Sequence, residues 1–247
     1  FIRMYELKKR QIEQAYEKQQ KEIADLQDFI ARNKARVATT NMAKSRQKKL
    51  DKMDKITLAA EKPKPVFSFA KARTPGRVVI ECTDLVPGYG EPLTKPMSFK
   101  IENGQKIAVK GVNGIGKSTL LKTLLKIIPS VSGTVEHDQF IEIGYFEQEE
   151  EAGSKTALQT IWDEFPSMTN AEVRAALAKC GLTTEHITSQ MKVLSGGENA
   201  KVRLCRIMLR PANILVLDEP TNHLDVDAKE ALKKAVKDFS GTVLMVS

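Results

Sequence analysis

The sequence is short of several things, and each shortage removes a class of protein. Cysteine occurs three times in 247 residues, as Cys82, Cys180 and Cys205, each alone in an apolar stretch. That spacing excludes a disulfide framework and a zinc knuckle, and fits buried thiols in a reducing compartment. Histidine also occurs three times, at His137, His186 and His223, too scattered to suggest a metal site by spacing. No apolar run approaches the roughly 18 residues that a bilayer crossing needs. No signal peptide opens the chain, and Phe1-Ile2-Arg3 does not read as a natural start, since no initiator Met precedes it. What is present, 41% hydrophobic and 28% charged residues, excludes a wholly disordered chain and a collagen-like one. A soluble, cytoplasmic protein of one or two domains is expected.

The charge is unevenly spread. Residues 1–75 hold 19 Lys and Arg against 9 Asp and Glu, a net +10, while the rest of the chain carries a net −2. Within residues 31–55 the balance is 9 basic to 2 acidic. Such a block suits an arm that meets a polyanion; the plainer alternative is a solvated helix face.

The same region has a period. With Tyr5 at position a, the a and d residues through Val37 are apolar or Tyr at seven of ten places, and no Gly or Pro intervenes before Pro63. This predicts a helix over 3–37 with one apolar seam, roughly 50 Å long at 1.5 Å per residue. Ala38-Thr39-Thr40-Asn41 offers a polar turn. A second helix over about 42–58 would lay Leu50, Met53, and Ile56 or Thr57 against the first, giving an antiparallel hairpin. Its tip would carry Arg32, Lys34, Arg36, Lys44, Arg46, Lys48 and Lys49 as candidate contacts to a polyanion. A coiled-coil spacer, charged only for solubility, is the alternative.

Glu61-Lys62-Pro63-Lys64-Pro65 cannot continue a helix. Phe67 and Phe69 are expected to anchor this connector, 61–76, to a second domain beginning near Arg77. There, Lys106–Lys110 reads as a strand running into Gly111-Val112-Asn113-Gly114-Ile115-Gly116-Lys117-Ser118, with a helix following from Thr119. Strand, glycine-rich loop and helix together point to a phosphate cradle. Backbone N–H groups curl toward the phosphates, Lys117 reaches the β- and γ-phosphates, and Ser118 ligates Mg²⁺. Ile214–Leu217 is an apolar run of strand length ending in Asp218-Glu219, as a buried parallel strand does. Asp218 would hold Mg²⁺ through water, and Glu219 would polarise an attacking water. Leu194-Ser195-Gly196-Gly197-Glu198 opens an amphipathic helix, about 199–209, and exposes backbone N–H groups to an anion.

In that order these motifs resemble the nucleotide-binding domain of the ATP-binding cassette superfamily, over nearly all of residues 77–247. The resemblance implies an α/β P-loop cassette with a helical subdomain at about 155–210, preceded by the antiparallel helical hairpin of residues 1–60. It implies ATP and Mg²⁺ as cofactors and ATP hydrolysis as the activity. It assigns Tyr89 to adenine stacking and Gln148 to sensing Mg²⁺ and water. Gly111, Asn113, Gly114, Gly116, Lys117, Ser118 and Thr119 fall to the phosphates. Ser195, Gly196 and Gly197 fall to the site of an opposite cassette, completed in trans.

Asn222-His223 after the glutamate, together with the basic hairpin, is similar to the ABC-F class, in which two cassettes share one polypeptide. That resemblance implies the inter-cassette arm and second cassette of a translation factor. Its arm would reach rRNA and P-site tRNA from the ribosomal E site, with a missing first cassette as partner. The short tip favours regulation over antibiotic protection. The chain stops at Ser247, before the histidine the family places after this strand, so a fragment of low activity is expected. A DNA-associated cassette ATPase and the ATPase subunit of a transporter remain as alternatives, because basic charge does not separate DNA from RNA.

Overall fold

In the hairpin, the inward-facing residues of the first helix repeat at alternating spacings of three and four. The computed structural model describes residues 2–33, 40–53, 64–147 and 153–246. Its first helix, α1, runs Ile2–Asn33 and its second, α2, runs Thr40–Asp51. Along α1, Tyr16, Gln19, Ile23, Leu26, Ile30 and Asn33 are shielded, as the heptad predicts, and Phe29 widens the seam. Leu26 and Ile30 are buried, as is Ala43 on α2. Lys49 pairs with Glu22 at 2.7 Å and Arg46 stacks 3.5 Å above the Phe29 ring centroid, so the helices run antiparallel.

Three expectations change here. Thr40 and Asn41 belong to α2 rather than to the turn. The helix ends at Asp51 rather than near 58, and Lys52 and Met53 close it with bonds back to the carbonyls of Lys48 and Leu50. Lys48 and Lys49 in this last turn complement the helix dipole. Positions 54–58 lie outside the described residues, as do Val37–Thr39. The third change is that the basic residues do not all gather at a tip. Lys49 sits nine residues into α2, roughly 14 Å along it, beside Glu22. Lys34 and Arg36 lie outside the described residues.

The chain divides into two units, Phe1–Glu61 and Lys62–Ser247. In the second, the connector does pack. Phe67 is buried, and Phe69 meets Phe239 edge-on with centroids 6.2 Å apart. The Ala72 amide donates to the Ala212 carbonyl, and the Ala212 amide donates to the Ala70 carbonyl. The boundary therefore precedes the connector instead of falling near Arg77.

Two sheets follow. Strands β1 (Val78–Val86), β2 (Met97–Glu102) and β4 (Ser132–His137) form an antiparallel sheet in the order β2-β1-β4. Strands β3 (Lys106–Val109), β5 (Ile143–Phe146), β6 (Ile214–Asp218) and β7 (Thr242–Val246) form a parallel one in the order β3-β7-β6-β5. Every residue of β6 is buried, as its apolar run predicts. Its side chains alternate between two cores. Ile214 and Val216 face helix α3 (Lys117–Leu124) and the antiparallel sheet. Leu215 and Leu217 face the helical layer: α4 (Ala157–Glu164), α5 (Asn170–Lys179), α6 (Thr184–Thr188), α7 (Gly196–Met208) and α8 (Val226–Asp238). Capping boxes start α4, α5, α6 and α7, from Thr156, Thr169, Thr183 and Ser195.

Asn213, fully buried, leads into β6. Its side chain accepts from the Glu142 amide and donates to the carbonyls of Arg73 and Phe140, at 2.7–2.9 Å. It thereby joins the connector, the approach to β5 and the central strand. Asn213→Ala strands three polar groups and should cost about 2–4 kcal/mol. A lower urea midpoint, followed through the single Trp162, is the expected reading; an unchanged midpoint would show the three bonds to be dispensable.

Candidate functional site

The site forms where β3, β5 and β6 end. After Val109 the chain turns through Gly114 (φ 80°) and Gly116 (φ 98°) into α3. Only glycine adopts these angles without strain. Gly116 is the N-cap and brings no side-chain bond. Helix α3 thus starts with bare N–H groups, while α4 to α7 are capped by boxes and α8 by Asp225. Uncapped amides and the positive end of the helix make an anion cradle. The expected helix start at Thr119 moves two residues back, to Lys117, because the left-handed Gly116 already sets the first turn.

Lys117 is 8% exposed, and its ammonium donates to the Gly111 carbonyl at 2.6 Å. It is folded onto its own loop. Gly111, Asn113 and Gly114 are exposed; Ser118 and Thr119 are half-buried. Tyr89, in the loop after β1, is 68% exposed and is not a core residue. It lines an open pocket of about 510 Å³ with Gly88, Gly90, Ile128, Pro129, Ser130 and Val131.

Asp218 is 1% exposed. Neither carboxylate oxygen reaches hydrogen-bond geometry with any described group, although the Ser118 hydroxyl lies close enough to favour the charged form. Burial dominates and pushes the carboxyl above its ordinary range, Glu219 adds to this, and Lys122 and Lys117 oppose it. A buried carboxylate with empty acceptor positions beside a serine hydroxyl fits a hydrated divalent cation. Among the described residues no group of three or more His, Cys, Asp or Glu could hold a metal unaided, so phosphate oxygens would have to supply the remaining ligands.

Glu219 follows at φ 47°, leaving the strand sharply, and Asn222 donates to its carboxylate. Gln148 lies outside the described residues. Its neighbour Glu147 is fixed twice: its carboxylate pairs with Lys122 of α3 at 2.6 Å, and its carbonyl accepts from Arg203 of α7 at 2.6 Å.

The glycines at the start of α7 have a local reason to be glycines. A Cβ on Gly196 would stand 3.1 Å from the His223 ring, and one on Gly197 would stand 2.6 Å from the His223 carbonyl. Ser195 spends its hydroxyl on the Glu198 amide, and Glu198 returns the bond to the Ser195 amide. Five residues into α7, Lys201 is 7% exposed and pairs with Asp225 at 2.8 Å. Sequence reasoning missed Lys201 and Arg203, and used His223 as a mark of class without its packing against α7. One faint signal existed: a lysine flanked by Ala200 and Val202 on a face that turns out to be buried.

These parts define an α/β phosphate-loop domain with a helical layer. Sequence models described as ABC transporter match residues 94–222 and, separately, residues 1–69. The chain belongs to this ABC transporter family, through its ATP-binding cassette. An uncharacterized ABC transporter ATP-binding protein, YfmM of Bacillus subtilis, is 60% identical over the whole chain and 48% of its own length. ABC transporter F family member 5 of Arabidopsis thaliana is 37% identical over 94% of the chain and 35% of its own length. The chain thus spans about half, or less, of the curated relatives it matches. A putative ABC transporter ATP-binding protein from Pyrococcus furiosus superposes with a TM-score of 0.57 at 26% identity, over 68% of this chain and 90% of its own.

Two outcomes test this geometry. Gly197→Ala should lose about 1–3 kcal/mol of stability, because backbone must move to admit the methyl. Gly153→Ala, where no atom lies nearer than 3.9 Å, is the control; equal melting of the two variants would refute the close approach. The second concerns Asp218, whose folded pKa lies above its unfolded value. As pH rises from below the ordinary carboxylate value, the unfolded chain ionises first, so this carboxyl lowers stability until the folded form also ionises. Without nucleotide, Asp218→Asn should therefore be about 1–3 kcal/mol more stable than the unaltered chain at pH 7, with the gap narrowing toward pH 4. A gap independent of pH would show that the charge carries no penalty.

Proposed function

We propose that the chain is the arm and second cassette of an ABC-F protein, a cytoplasmic ATPase whose nucleotide state governs its hold on the ribosome. One observation carries this reading: the basic hairpin and the cassette occur in one chain, and a relative named as an F family member resembles that chain over 94% of its length. No helix among the described residues is long and apolar enough to cross a membrane. The helical unit that precedes the cassette is instead charged.

In this reading the adenine stacks on Tyr89. The amides of Gly111–Thr119 receive the phosphates, and Lys117 exchanges the carbonyls of Gly111 and Val112 for phosphate oxygens. Bound Mg²⁺ would neutralise charge on the phosphates; Ser118, Asp218 and Gln148 are the residues assigned to hold it. Glu219, oriented by Asn222, takes the proton of the attacking water. Ser195, Gly196 and Gly197 serve the site of a first cassette, so this chain alone hydrolyses ATP poorly. Arg32, Lys44 and Lys48 are exposed on the hairpin and, with Lys34 and Arg36, face rRNA and P-site tRNA. Arg32, Arg46 and Lys49 contribute less than Lys44 and Lys48, because Asp28, Phe29 and Glu22 already engage them.

Sedimentation with ribosomes over a salt series tests the proposal. Replacing Arg32, Lys44 and Lys48 by Ala should weaken binding and flatten log K against log salt by about 0.7–0.9 for each phosphate no longer neutralised. An unchanged slope would reduce the arm to a spacer. Equal binding to duplex DNA or to lipid vesicles would overturn the ribosomal reading.

A further inference from the structure

Tyr145 carries a polar group with no role among the nucleotide-site residues. It lies on β5 opposite Val216 of β6. In a parallel pair, residues two apart share a face, so Tyr145 projects to the side of the sheet that carries Val216 and Asp218. On that side it packs against the core that also holds Leu121 and Leu124 of the phosphate-loop helix and Val216 of β6. Asp218 stands two residues beyond that cross-strand partner on the same face, close enough for its charge to act on the Tyr145 hydroxyl. The Tyr145 hydroxyl is shielded from solvent and meets no hydrogen-bond partner among the described residues. Burial raises its pKa, and the negative charges of Glu147 and Asp218 raise it further. The hydroxyl therefore keeps its proton and offers a donor.

A buried donor without an acceptor thus stands on the same face as a buried carboxylate without a donor. Buried polar groups in native proteins are nearly always satisfied, and a bridging water needs two to four such groups around it. Tyr145 supplies one and Asp218 two. We propose that Tyr145 is a positioning residue for Mg²⁺: its hydroxyl and the Asp218 carboxylate together hold a water of the cation's hydration shell. This rests on the nucleotide-binding reading above and adds to it a residue that fixes the metal's orientation without touching it. Mg²⁺ retains several of its waters in phosphate sites, so an outer partner for one of them is chemically expected. The other face of β5 cannot do this, since Phe146 turns into the second core.

Tyr145→Phe removes the hydroxyl and keeps the ring, so packing against this core is preserved. Binding of ATP to this chain should be measured by calorimetry in Mg²⁺ and, separately, in EDTA. In Mg²⁺, affinity should fall about 5- to 10-fold, the effect of one net hydrogen bond; in EDTA it should stay within about twofold. Asp218→Asn should remove most of the Mg²⁺ dependence, and adding Tyr145→Phe to it should change nothing more, since both act through the same water. Thermal melting checks that Tyr145→Phe folds. Unchanged affinity in Mg²⁺, equal loss in both buffers, or an additive double variant would each overturn the role of Tyr145 while leaving nucleotide binding intact. Failure of the unaltered chain to bind ATP in either buffer would overturn both.

Discussion

The second unit is organised around one electrostatic constraint, a carboxylate placed at the buried end of its central strand. Asp218 is 1% exposed and continues the buried run Ile214–Leu217. Burying a charge without a partner is unfavourable, and the surrounding structure only partly relieves it. Lys117 is turned onto the loop carbonyls, and Lys122 is committed to Glu147. The site thus holds cations close by without letting them neutralise Asp218. An incoming cation gains what the protein leaves unsatisfied, which is how a binding site lowers native stability in favour of function.

From that point the elements are tied in a ring. Helix α3 reaches Glu147 through Lys122, and α7 reaches the same residue through Arg203. Helix α7 is also held to the loop after Glu219 by Lys201 and Asp225, and by the close approach of Gly196 and Gly197 to His223. Asp225 in turn caps α8 through the Ala228 amide. The helix that follows the phosphate loop, the residue before Gln148, the glutamate loop and the glycine-led helix therefore share polar partners, of which Lys201 is the buried one. Removing one partner leaves another uncompensated, so these segments are coupled energetically.

The helical unit obeys a simpler rule. Its seam is narrow, an a and d stripe with Phe29 beside it, and among its described residues few are buried. A narrow seam leaves most of the surface for charge. Part of that charge is used internally: Arg32 pairs with Asp28, Lys49 with Glu22, and Arg46 lies over Phe29. Exposed pairs of this kind contribute little to stability, so their main effect is to lower the charge available to a polyanion.

The sequence by itself determined what depends on local order. The heptad fixed the face of α1, the apolar run fixed β6, and the glycine spacing fixed the phosphate loop, because each pattern is written in consecutive residues and one backbone geometry satisfies it. Element ends were less legible: α2 stops at Asp51, α3 starts at Lys117 and α7 starts at Gly196, since capping groups and φ values decide termini. The connector's place in the second unit rests on Phe67, Phe69 and Asn213 meeting partners far along the chain. Only the tertiary structure decided the long-range polar partners. Nothing near Lys201 announces Asp225, nothing near Gly197 announces the His223 carbonyl, and Tyr145 becomes informative only once β5 is registered beside β6. Desolvation is the reason: a side chain's chemistry is set by what excludes water from it, and those neighbours come from distant segments brought together by folding.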